Sequence, residues 1–371
     1  MREIPVLLCR APHQGAQVPS TLSPRHTTNA PSRRWRDRLL TRVDERIEQF
    51  LATERQRWAA FDPDSVEVLD CVVGMFGSGG KRLRPAFCIA GYLAAGGDPD
   101  DPAIVDVAAA LELLHSFALL HDDVMDASER RRNRPTAHVL HEELHGQRGW
   151  RGEGRRYGEA VAVLGGDLAL VYAERLLADC PPGVRRIWGE LCTELVVGQF
   201  LDLRSAAQFE ADPERARCIA LLKSGHYTVS RPLTLGAALA GEERLLAPFE
   251  EYGMAVGEAF QLRDDLLDFF GDAVLTGKPG QLDLQQHKMT LLMSLALRDQ
   301  PVVQALFAGD GTTPDPDVLR HLLNATGVRD RVEEVIEERV IAAGRAIDGT
   351  LTPEWVAEFL AMANEAAYRN G

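Results

Sequence analysis

No stretch of the 371 residues comes near the roughly 18 uninterrupted apolar positions that a membrane helix needs; the best candidate, residues 103–120, is broken by Asp106, Glu112 and His115. A bilayer-spanning chain is therefore not expected. Near the N-terminus only residues 4–9 form an apolar run, too short for a signal-peptide core. The six cysteines (Cys9, Cys71, Cys88, Cys180, Cys192 and Cys218) show neither a CxxC pair nor a Cys/His spacing suited to zinc. They read as reduced thiols, mostly in the core of a cytoplasmic protein. Positive charge is also in short supply. With 41 basic against 55 acidic side chains, the net charge of −14 excludes a surface built to coat nucleic acid or anionic membrane, and an anionic ligand needs a local exception. Alternating strand patterns and repeats of fixed period are missing as well.

What is present is apolar spacing of three and four residues from about Arg34 onward, which predicts an all-α protein. At about 150 residues per domain the length allows two domains. The punctuation is local, though: Gly77-Ser78-Gly79-Gly80, Gly96-Gly97-Asp98-Pro99, Pro181-Pro182-Gly183 and Gly277-Lys278-Pro279-Gly280 are turns between helices and none is long enough to link domains. Residues 34–371 are expected to form one large helical domain. Residues 1–33, rich in Ser, Thr, Pro and Arg, read as a disordered basic tail, although a transit peptide has a similar composition.

Two acidic clusters stand out. Asp122-Asp123-Val124-Met125-Asp126 and Asp264-Asp265-Leu266-Leu267-Asp268 each end an apolar helical stretch and share the spacing DDxxD. Runs of carboxylate repel one another and Asp is a poor interior helix former, so local stability does not account for them. On a helix Asp122 and Asp126 share a face, as do Asp264 and Asp268, giving oxygen-only donors suited to Mg²⁺, which binds through a few carboxylates plus substrate phosphates. Two such helices facing one another make sense as a trap for a diphosphate. Basic blocks suited to its far wall accompany them: Lys81, Arg82 and Arg84 after a glycine-rich turn, Arg130-Arg131-Arg132 after the first cluster, Lys223, and then Lys278 and Lys288 after the second.

At this point the chain resembles the trans-polyprenyl diphosphate synthase family, which elongates isoprenyl chains head to tail. The likeness runs through Gly79-Gly80-Lys81-Arg82-Leu83-Arg84-Pro85, Leu114-His115-Ser116-Phe117, the first aspartate motif, Arg131-Arg132-Asn133-Arg134-Pro135, Gly198-Gln199-Phe200-Leu201-Asp202, Lys223-Ser224-Gly225-His226-Tyr227-Thr228, Phe260-Gln261 with the second motif, and Lys288-Met289-Thr290. These blocks keep their order over about 210 residues. The resemblance implies a helical bundle around a deep cavity, usually as a homodimer, with isopentenyl diphosphate and an allylic diphosphate as substrates. It implies that Asp122, Asp123, Asp126, Asp264, Asp265 and Asp268 hold about three Mg²⁺ ions, which bridge the allylic diphosphate as metals such as these do. Arg131, Lys223 and Lys288 would contact that diphosphate; Lys81, Arg84, His115 and Arg132 would hold isopentenyl diphosphate. Thr228 and Gln261 would lie near the reacting carbons and metal waters.

Phe117, five residues before Asp122, would lie about 7.5 Å deeper along the helix axis. In enzymes this chain resembles, an aromatic there beside a small residue, here Ala118, goes with a C20 product, so geranylgeranyl diphosphate is expected, with farnesyl or longer-chain synthesis as the alternative. The chain departs from its relatives at Asn133, Gln281 and His287, where glycine is usual. Two other readings share features of the pattern. A class I terpene cyclase would not need Lys81, Arg84 and His115, and a non-catalytic partner subunit usually lacks one of the two aspartate motifs.

Overall fold

The structure, a computed structural model, describes residues 31–271, 284, 286–308 and 314–369. Expectations for residues 1–30 and for Gly277, Lys278, Pro279, Gln281 and Asp283 lie outside the described residues, while residues 31–33, expected in the tail, open the first helix, where Ser32 is buried and its N–H bonds Glu354. The described chain is helical apart from one small hairpin. Helices α1 (Pro31–Phe61), α2 (Val66–Gly77), α3 (Leu83–Ala94) and α4 (Pro102–Met125) lead into strands β1 (Arg130–Arg131) and β2 (Arg134–Pro135). Next come α5 (Ala137–Gln147), α6 (Gly154–Leu176), α7 (Pro182–Gln208) and α8 (Pro213–Ala220), a π-helix (Leu221–Ser230), α9 (Arg231–Leu239) and α10 (Leu246–Phe270). The C-terminal part comprises α11 (Leu291–Asp299), α12 (Pro301–Phe307), α13 (Pro316–Ala325), α14 (Val328–Ile347) and α15 (Pro353–Ala367).

Helix α4 is the axis of the bundle. Asp101 caps it by accepting the Ala103 N–H at 2.9 Å, and Pro102 supplies the preset φ of a first helical turn. By length and composition α4 would pass for a membrane span, but 67% of its apolar window is buried by the surrounding helices, so the charges that interrupt it in the sequence interrupt a core helix. Val107, Leu111, Leu113 and Leu114 are fully buried among α1, α2, α3, α6 and α7. Each such leucine contributes about 1.5–3 kcal/mol by leaving water. Two further apolar clusters flank this one, one between α3, α9, α10, α14 and α15, the other between α10 and the segments from α11 to α14. Cys71 and Cys88 are buried in this framework, whereas Cys180, Cys192 and Cys218 are only half-buried, so the thiols belong to the core less uniformly than expected.

The sequence suggests a single helix over residues 217–239, and here the structure differs. The stretch is divided into α8, the π-helix and α9, and the wider turns of the middle piece carry Lys223, Tyr227 and Thr228. Two glycines allow its neighbours to close on it. A Cβ at Gly198 of α7 would stand 2.5 Å from the Lys223 nitrogen, and one at Gly257 of α10 would stand 2.4 Å from the Gly225 Cα.

Candidate active site

Helices α4, α7 and α10, the π-helix, the start of α3 and the hairpin enclose a cavity of about 650 Å³. Asp122 on α4 and Asp264, Asp265 and Asp268 on α10 line it, together with Lys81, Arg84, His115, Arg131, Arg132, Lys223, Gln261 and Lys288. Residues far apart in sequence therefore share one space, and the local surplus of cations that an acidic chain needs for an anionic ligand is found there.

The first aspartate motif closes α4. Asp123 is almost wholly buried and accepts from Arg131 Nε at 2.8 Å, while its second oxygen, Oδ2, is buried without a hydrogen-bond partner. Burial pushes its carboxyl above the ordinary range, against the pull of Arg131. Asp126 accepts from Lys288 Nζ at 2.7 Å and is likewise pushed up, by burial and then by Asp122. Neither Asp123 nor Asp126 lies on the cavity wall. Lys223 reaches Asp202 at 2.6 Å and Asp122 at 3.6 Å. Burial works against the Lys223 charge, and the two carboxylates outweigh it and raise its pKa.

The hairpin that delivers Arg131 turns through Arg132 and Asn133, whose φ values are 50° and 61°. A two-residue hairpin with both central residues left-handed favours Asn as well as Gly, which explains how Asn133 is accommodated. His287 also stands at positive φ, 55°, and is half-buried with its ring against Phe209 rather than a freely exposed loop side chain.

On the opposite wall Asp265 accepts from Gln261 Nε2 at 2.7 Å, one turn back on α10. Asp264 pairs with Arg369, which also covers the Phe260 ring at 3.9 Å and lines the cavity. Arg369 was not legible in the sequence: it follows the last helix and belongs to no motif. Among the described residues no three His, Cys, Asp or Glu side chains converge on one point as a ready-made metal cage. The donors nonetheless fit Mg²⁺ in kind, being carboxylate oxygens of Asp122, Asp264, Asp265 and Asp268 on the cavity wall, with an unpartnered Asp123 oxygen buried outside the lining.

The basic loop before α3 is used unevenly. Arg82 lines the cavity with its guanidinium tied to Asp44 and Glu112, at 2.8 and 2.6 Å. Lys81 stays at the rim, where burial and then Arg369 hold its pKa below the ordinary value. Thr228 does not line the cavity; fully buried, it accepts from Arg84 Nη2 at 3.0 Å. On α4 the lining residues are Glu112, His115, Ala118, Leu119 and Asp122. Phe117 is not among them: its ring packs 4.7 Å from that of His121, which bonds the Val163 carbonyl of α6. Lys278 lies outside the described residues.

Opposed aspartate motifs with a ring of cations in an all-helical bundle define an isoprenoid synthase fold, and comparison with known proteins gives its family. Residues 67–324 match the Polyprenyl synthetase family, and the chain belongs to it. It is 33% identical to the geranylgeranyl diphosphate synthase of Mycobacterium tuberculosis over 76% of this chain and 79% of that one. To the short chain isoprenyl diphosphate synthase of Methanothermobacter thermautotrophicus it is 31% identical over 67% of this chain and 72% of the other. The structure of a geranylgeranyl pyrophosphate synthase from Corynebacterium glutamicum, complexed with isoprenyl diphosphate and magnesium, superposes with a TM-score of 0.83 at 33% identity, covering 90% of this chain and 99% of that one.

Proposed function

We propose that this prenyltransferase condenses isopentenyl diphosphate with an allylic diphosphate and depends on Mg²⁺, with geranylgeranyl diphosphate as its product. The observation that carries the reading is the single cavity that faces Asp122 with Asp264, Asp265 and Asp268 and places two groups of cations beside them. Asp122, Asp123, Asp126, Asp264, Asp265 and Asp268 would hold the metal, as many as three ions by analogy with the family. Mg²⁺ held there would supply positive charge to offset the negative charge on the departing diphosphate.

Arg131, Lys223 and Lys288 hold the allylic diphosphate from three separate elements, so the leaving group departs in a fixed direction. Lys81, Arg84, His115 and Arg132 hold isopentenyl diphosphate with its double bond facing the allylic carbon. Gln261 orients Asp265. Leu119, Leu195 and Phe260 on the wall exclude water that would otherwise capture the allylic cation. Loss of a proton to the released diphosphate completes the round.

The C20 assignment draws its support from the names of relatives such as the mycobacterial and corynebacterial proteins. Ala118, on the wall four residues before Asp122, fits a chain-length role better than Phe117. We also propose that residues 34–371 act as one domain and that the protein is a homodimer, because Val163, Leu164 and Val171 of α6 and Val196, Val197 and Phe200 of α7 are exposed. The test is a product assay with purified protein, Mg²⁺, labelled isopentenyl diphosphate and dimethylallyl, geranyl or farnesyl diphosphate in turn. A C20 alcohol after dephosphorylation is expected, and Ala118→Phe should shorten it to C15. Products of another length overturn the C20 assignment, and no incorporation with any starter overturns the synthase reading in favour of a partner subunit.

A further inference from the structure

Two of the groups assigned to isopentenyl diphosphate meet on one side chain that has no role in the reading so far. Tyr227, on the π-helix, is 4% exposed and its ring lines the cavity. Its hydroxyl lies 2.8 Å from His115 Nδ1, and the Arg84 guanidinium sits 4.0 Å above the centre of its ring. The next residue, Thr228, accepts from Arg84 Nη2. Arg84 is thus seated on the face of one π-helix residue and bonded to its neighbour.

We propose that Tyr227 is a positioning residue for the second substrate: its hydroxyl fixes the His115 tautomer and its ring seats Arg84, so that both donors address one diphosphate. This rests on the prenyl diphosphate synthase reading of the cavity. A buried hydroxyl must place its proton, and among the described residues His115 Nδ1 is the partner it meets. Donation to Nδ1 leaves the one proton of a neutral imidazole on Nε2, so His115 approaches a diphosphate as a donor rather than as a repelling lone pair. The ring is held neutral by burial and by the nearby arginines 84, 131, 132 and 82, which keep its pKa well below 6.5. The ring face of Tyr227 suits a cation that must stay available to an anion, since it attracts Arg84 without neutralising it.

The test compares wild type, Tyr227→Phe, His115→Ala and the double variant, full length. Tyr227→Phe keeps the ring and removes the hydroxyl. Its KM for isopentenyl diphosphate should rise about tenfold, the equivalent of one hydrogen bond, with kcat and the allylic KM nearly unchanged. In the His115→Ala background the same substitution should add nothing, because its target is gone. Nitrogen shifts of ¹⁵N-histidine-labelled protein should show His115 protonated on Nε2 in wild type and as a tautomer mixture in Tyr227→Phe. Thr228→Val, which leaves the hydroxyl in place, should raise the same KM without changing the tautomer. Additive kinetic effects, an equal rise in the allylic KM, or unchanged His115 nitrogens in Tyr227→Phe would overturn the proposal. A wild-type protein that condenses no isopentenyl diphosphate overturns the parent reading instead, and the tautomer measurement then decides whether Tyr227 controls His115.

Discussion

The two aspartate motifs share their spacing but differ in the exposure of the leading carboxylate and in the elements that reach them. The Asp122 side chain is 25% and the Asp264 side chain 48% exposed, while Asp123 and Asp265 are both buried. Around the first motif, partners arrive from the hairpin (Arg131), the π-helix (Lys223), α7 (Gln199) and the segment before α11 (Lys288). The second is met by Gln261 from its own helix and by Arg369 from beyond the last helix. One wall is therefore set by the tertiary fold before any ligand arrives. On the other, Gln261 reaches Asp265 from one turn back, and Arg369 and Lys81 act on Asp264. The same spacing yields leading carboxylates of different exposure because burial and partners are tertiary properties.

The largest effect expected from this contrast is on catalysis. Asp122→Asn and Asp265→Asn should each lower kcat by about 10³-fold, the scale of losing charge stabilisation in a transition state, in steady-state assays at saturating Mg²⁺. Asp123→Asn should in addition lower the melting temperature, since it disturbs the buried Arg131 contact, whereas Asp264→Asn should leave it unchanged. Equal thermal effects at Asp123 and Asp264 would contradict the difference in their burial.

A smaller effect concerns the frame itself. Behind the π-helix, Glu194 of α7 accepts from Arg231 Nε at 2.8 Å and lies 3.1 Å from His226 Nδ1. Burial opposes its ionisation, but Arg231 and His226 outweigh it and bring the carboxyl from 4.5 to about 2. A depressed folded-state pKa contributes stability above the unfolded value, lost as pH falls from 4.5 toward about 2. Glu194→Gln should cost about 2 kcal/mol at neutral pH, a figure moderated by the partly exposed edge of the pair, and nearly nothing near pH 2. Denaturant titrations at several pH values measure this. The smallest effect is expected at Asp264. Arg369→Ala should lower the Mg²⁺ concentration for half-maximal activity by about threefold, because a cation only 12% exposed no longer competes for the half-exposed Asp264.

The helical architecture could be read from the sequence because three- and four-residue spacing survives any arrangement of the bundle. Short helices such as α2, α5, α12 and α13 escaped, their amphipathic stretches offering few turns to judge by. Both aspartate motifs and most of the cations were legible because each carries a charge pattern that local stability does not explain. Thr228, Phe117 and Arg82 show the limit. Each stands within or beside a recognisable block, yet the structure turns Thr228 to Arg84, Phe117 to His121 and Arg82 to Glu112. A side chain's heading depends on which helix packs beside it. The π-helix was illegible for a related reason, since its apolar spacing over ten residues differs little from that of an α-helix.

Gly198 and Gly257 set the distance at which α7 and α10 grip the π-helix, and neither offers any functional group. In a saturation library scored for activity, these two positions would tolerate as little change as the aspartates, and alanine would be among the harmful replacements. A map of intolerance would mark them as part of the catalytic centre, although what they contribute is a gap one methyl group wide.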